Sequence, residues 1–112
     1  MNREELMDLF SERIRELLVR LPVNYEEVQE IRLRAEKPLL IRYGTREYFV
    51  TEDGKLSEEE SEGFLVDKKE LMETMEYIAN YSMYAYEEEL KQGYLTVRGL
   101  SLIHISVPTR QE

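Results

Sequence analysis

The apolar period changes early in the chain, and that change sets the fold class. Leu6, Phe10, Ile14, Leu17, Leu18 and Leu21 recur at steps of three and four, which gives one apolar stripe on a helix. From residue 30 the step becomes two. Ile31 and Leu33 alternate with Glu30, Arg32 and Arg34, the pattern of a half-buried strand. A helix must bury its stripe and a strand its apolar face, so the two stretches are expected to pack on each other. Asn2 with Glu5 reads as a capping box for a single first helix, which Pro22 ends.

The remaining punctuation fits this arrangement. Asn24 can cap a short helical turn over residues 24–29. Glu36-Lys37-Pro38 reads as a turn, Leu39–Tyr43 as a second strand, Gly44-Thr45 as a tight turn and Arg46–Thr51 as a third strand. Residues 52–63 are acidic and poor in apolar anchors, so a mobile loop is expected there. Phe64-Leu65-Val66 re-enters the core. Asp67, with Glu70 at the box position, starts a helix whose stripe is Leu71, Met72, Met75, Ile78 and Ala79. Ser82 can cap a further helix running to Gln92, with Gly93 as its C-terminal cap, and Tyr94–Arg98 reads as a fourth strand. The expected class is α+β: a small antiparallel sheet of three to four strands with about three helices.

Composition narrows the function. The 112 residues carry 15 basic and 24 acidic side chains, net −9. Residues 1–50 hold 9 basic against 10 acidic groups, and residues 51–112 hold 6 against 14, so the acidity lies in the second half. This balance argues against nucleic-acid binding and against a peripheral binder of anionic lipid. Without cysteine there is no disulfide or thiolate chemistry, and with His104 as the single histidine there is no two-histidine metal site. The N-terminus lacks the apolar run of a signal peptide and nothing in the sequence spans a bilayer, so a cytoplasmic location is expected. The serines and glycines match no nucleophile elbow or phosphate loop, and the 12-residue calcium-loop spacing is absent. No catalytic, cofactor or metal residue is nominated. Five of the eight tyrosines fall between Tyr77 and Tyr94. These rings are expected first to pack the helix pair onto the sheet with their hydroxyls at the rim; the alternative is a protein interface, which tyrosine suits by its apolar body and polar tip.

Two blocks carry a family resemblance. Glu30-Ile31-Arg32-Leu33-Arg34 followed by Lys37-Pro38-Leu39 resembles the Glu-Ile-Arg-Leu-Arg…Arg-Pro-Leu stretch of the stage III sporulation protein AA family. Asn80-Tyr81-Ser82-Met83-Tyr84-Ala85-Tyr86-Glu87-Glu88-Glu89-Leu90-Lys91-Gln92-Gly93-Tyr94-Leu95-Thr96 resembles that family's second hallmark. The resemblance implies a cytoplasmic ATPase of endospore-forming bacteria, similar to hexameric secretion motors. Such a protein acts on the mother-cell side, self-associates, and works with membrane proteins of the sporulation channel without inserting in the membrane itself.

Its leading region, here residues 1–99, would orient protomers or dock on those partners. The P-loop core, with its ATP and Mg²⁺, would lie beyond the chain, so this chain is expected to have no activity of its own. Residues 100–112, Leu100 to Glu112, depart from the family pattern and resemble a translated sequencing adapter. Arg32, Arg34, Tyr81, Tyr84, Tyr86, Glu87 and Glu88 form the candidate partner interface, with Arg32 and Arg34 able to meet the acidic Glu87–Glu89 run of the same or a neighbouring protomer. The alternative reading is a stand-alone acidic adaptor that binds a protein partner through the tyrosine-rich helices.

Overall fold

The computed structural model describes residues 3–81, 94–97 and 102–106. The class is α+β. Helices α1 (Arg3–Met7) and α2 (Glu12–Arg20) lead into strand β1 (Val28–Arg34) through a turn of 3₁₀ helix at Tyr25–Glu27. Then come β2 (Lys37–Pro38), β3 (Leu40–Tyr43), β4 (Arg46–Val50), β5 (Leu56–Ser57), β6 (Leu65–Val66), α3 (Lys68–Tyr81), β7 (Tyr94–Val97) and β8 (Leu102–Ser106). Strands β5, β4, β3 and β1 form a continuous antiparallel block. Strand β8 extends it by pairing parallel to β1, and β7 pairs antiparallel to β8, giving the order β5-β4-β3-β1-β8-β7. A second, two-stranded sheet joins β2 to β6.

The single first helix expected from the period is two helices. After α1 the chain tightens into i→i+3 bonds, Leu9 N to Leu6 O at 3.1 Å and Phe10 N to Met7 O at 3.3 Å. Ser11 then takes an extended ψ of 159° as the N-cap of α2. A helix end leaves carbonyls without partners, and here one side chain serves two of them. Arg15 donates from Nε to the Met7 carbonyl at 3.1 Å and from Nη2 to the Phe10 carbonyl at 3.0 Å. The apolar stripe survives the break, because Leu6, Phe10, Ile14 and Leu18 are all fully buried.

One sheet face meets the helices. Val28, Ile31, Leu33, Ile41 and Val50 share a single core cluster with the α1–α2 stripe and with Leu71 of α3. A register shift between Val28 and Glu30 marks a β-bulge. It lets Val28 join the core while Glu30 stays on the opposite face with Arg32. Two turns follow the sequence reading closely. Asn24 Oδ1 accepts from Glu26 N at 3.0 Å, and Gly44 has the positive φ, 63°, that the first central position of a tight β3–β4 hairpin demands.

Other segments depart from it. Lys37-Pro38, expected as a turn, is extended and pairs with Leu65–Val66; the chain reverses one step earlier, at Glu36, whose φ is 60°. The acidic segment expected to be a mobile loop contains β5 and a 3₁₀ turn at Glu60–Glu62. Short polar side chains supply its local bonds. Thr51 Oγ1 accepts from Asp53 N and Lys55 N, and Ser57 Oγ accepts from Glu59 N while donating to Glu62. Residues 102–106 take the place of the extra strand that their β-prone composition allows.

Candidate functional site

The sheet face turned away from the helices carries charge in register. Glu30 on β1 lies opposite Arg42 on β3, and Arg42 lies opposite Glu47 on β4. Opposite charges on facing cross-strand positions stabilise the pairing. Arg32, two residues along β1, projects on the same face as Glu30.

Glu30 is the centre of this network and is nearly fully buried, its side chain 5% exposed. Arg32 grips it with two bonds, Nε to Oε2 and Nη2 to Oε1, both 3.1 Å. Arg42 Nη2 reaches Oε1 at 3.2 Å. Arg32 Nη2 also lies 3.9 Å from Glu47 Oε2. The hydrogen bonds to Glu30 hold the Arg32 guanidinium pKa above its ordinary value. A planar guanidinium matched to both carboxylate oxygens fixes geometry as well as charge. The result is a rigid charged patch in which two carboxylates and two guanidiniums balance. Gln29, Arg42, Gly44, Thr45 and Glu47 border a shallow depression at its edge.

Arg34 continues the row beyond this balanced set. It is half-buried, and among the described residues its buried Nε has no hydrogen-bond partner. Unlike Arg32, Arg42 and Arg46, it takes part in no ion pair among the described residues, so its guanidinium is the charge on this face left to meet an outside carboxylate.

The structure brings Arg32 and Arg34 to one face of β1, as their spacing requires. Tyr81 is the last residue of α3. Tyr84, Tyr86, Glu87 and Glu88, and with them the expected contact of Glu87–Glu89 with the arginines, lie outside the described residues. Sequence reading missed Glu30, Arg42 and Glu47. The alternation in β1 marks Glu30 as outward-facing polar, and nothing in it marks the side chain as buried. The available signal is the Glu-x-Arg pair on β1 combined with the Gly44-Thr45 hairpin, which fixes the β3–β4 register and sets Arg42 opposite Glu47.

Among the described residues no group of acidic or histidine side chains is placed to hold a metal ion, and no helix is long and apolar enough to cross a membrane.

Comparison with known proteins adds an independent line. A family described as "Sporulation stage III, protein AA" matches residues 1–109. The chain is also similar to stage III sporulation protein AA of Bacillus subtilis (strain 168), 32% identical over 101 residues. That alignment takes in 85% of this chain and 27% of the relative, so the chain spans about a quarter of the relative's length. No solved structure matches it.

Proposed function

Because the chain belongs to the stage III sporulation protein AA family, we propose that it is the leading domain of a sporulation ATPase and acts by docking rather than by chemistry. Its charged sheet face would orient neighbouring protomers in a ring, or seat the protein on membrane proteins of the sporulation channel from the cytoplasmic side. ATP and Mg²⁺ would belong to a motor domain outside these residues.

The observation that carries this reading is the locked state of Glu30. A carboxylate held by two arginines on an otherwise solvated sheet face is preorganised, and preorganised charge favours specific association. Arg34, which makes no ion pair among the described residues, would supply the attraction that the balanced set does not.

Two measurements test it. The purified chain incubated with ATP and Mg²⁺ should release no more phosphate than a buffer control. Arg34→Glu in the full-length protein should weaken its self-association or its recovery with the channel proteins, while leaving the domain folded by circular dichroism. Turnover well above the control would overturn the docking reading. Unchanged assembly by the Arg34→Glu protein would remove the sheet face from it.

A further inference from the structure

A second surface, on the helical side of the molecule, is of opposite character. Residues of α2 and of the start of α3 line a cleft of about 470 Å³. Glu12 and Glu16 line one wall, four residues apart and so on one face of α2. Asp67, Glu70 and Glu73 line the other at steps of three, on one face of the α3 start. Two cations share the lining, Arg13 and Lys69. The Arg13 guanidinium is engaged over the Phe64 ring, 4.9 Å from its centroid. Among the described residues no ion pair within 4.0 Å neutralises any of the five carboxylates.

The acidity alone would be a solvated surface. Ser11 makes the difference. It is part of the cleft lining, is 1% exposed, and among the described residues its Oγ has no hydrogen-bond partner. It is the N-cap of α2, yet its hydroxyl makes no capping bond. Its backbone N–H is instead tied across the helix pair to Thr74 Oγ1 at 3.0 Å. A buried hydroxyl without a partner costs free energy and is uncommon in a folded protein. It marks a place where a hydrogen-bond partner is missing. Glu70 and Glu73 on this wall are half-buried, and burial raises the pKa of Glu70.

We propose that the α2–α3 cleft receives a basic segment of another protein, with lysine or arginine side chains between the two acidic rows and one N–H donor on Ser11 Oγ. A divalent cation is the wrong shape for the site, because no set of its carboxylates converges on one point. Two rows with helical spacing on facing walls suit an extended run of cations. The cleft volume is in the range of built binding sites. This surface is separate from the arginine face, and the inference does not depend on how that face is used.

The test uses the purified chain and a fluorescein-labelled peptide repeating Lys-Ala-Ala, followed by fluorescence anisotropy at low salt. The wild-type chain should bind it. Glu16→Gln/Glu73→Gln should weaken binding by about tenfold or more, since each removes a charge facing the peptide. Glu58→Gln/Glu59→Gln makes the same change in net charge on the distant acidic loop and should leave binding within about twofold. Ser11→Ala should weaken binding severalfold with an unchanged melting temperature. Equal loss in both double variants would show attraction to net charge only and overturn the proposal. So would undiminished binding by the cleft variants, or no binding at all by the wild-type chain.

Discussion

The Glu30 network makes an ordered prediction. Removing one member of a buried ion pair costs roughly 3–5 kcal/mol when the charge left behind is itself buried. The three partners here differ in that respect. Glu30 is 5% exposed at its side chain, Arg32 26% and Arg42 45%. Arg32→Gln strands a buried carboxylate with only Arg42 among these two arginines, so its cost should approach the buried-pair figure, about 3 kcal/mol.

Glu30→Gln strands two guanidiniums that already reach water, and the amide oxygen retains one acceptor. Its cost should be lower, about 2 kcal/mol. Arg42→Gln loses a single bond from a half-exposed donor and should cost about 1 kcal/mol or less. Urea unfolding of the three variants, followed by circular dichroism at neutral pH, reads the order directly. The Glu30→Gln/Arg32→Gln double variant should cost clearly less than the sum of the singles, because both remove the same two bonds. If Arg42→Gln proves the most damaging of the three, or Glu30→Gln lies within about 0.5 kcal/mol of wild type, burial does not govern this site and the reasoning fails.

Three further outcomes follow from other parts of the fold. Deleting residues 102–112 removes the strand between β1 and β7. The melting temperature should fall by about 10 °C or more, where a tail outside the sheet would leave it nearly unchanged. Thr74→Val should cost about 1–2 kcal/mol in chemical unfolding because it orphans the buried Ser11 N–H, whereas Ser11→Ala should stay within about 0.5 kcal/mol, its hydroxyl having no bond to lose. Glu70 has a folded pKa raised chiefly by burial, so the folded state binds the proton more tightly than the unfolded state. Its contribution to stability therefore falls as pH rises from the ordinary glutamate value through the folded value. Glu70→Gln keeps the capping-box acceptor and should flatten that decline in a pH series of melting curves. A steeper decline in the variant would contradict the assignment.

Local chemistry was legible where one residue decides the geometry. Asp67 and Glu70 form the reciprocal capping box their spacing implies, Glu70 N to Asp67 Oδ1 at 2.8 Å and Asp67 N to Glu70 Oε1 at 3.4 Å. Asn24 and Gly44 behave the same way. Features that depend on a distant partner were not legible. The break between α1 and α2 leaves the apolar period intact, so a periodicity argument passes over it, and Arg15 makes it tolerable from the next turn. Lys37-Pro38 has turn composition but is drawn into a strand by Leu65–Val66. The bulge at Val28–Glu30 determines which face of the sheet receives Glu30, and its only trace in the sequence is the local failure of strict alternation.

The net charge of −9 conceals two surfaces with different requirements. On the sheet face Arg32 and Arg42 face Glu30 and Glu47, two charges of each sign. That patch gains little from any further ion, and under the docking proposal specificity there would rest on shape and on Arg34. In the α2–α3 cleft five carboxylates face two cations, one of them engaged on a ring. A partner reading both surfaces would need an acceptor for Arg34 and a basic run for the cleft. Screening should then act unequally on the two contacts, because exposed rows of like charge lose their pull within about 8 Å at physiological salt while buried pairs lose much less. Raising the salt concentration should therefore release a cleft-bound segment before it disturbs the network around Glu30.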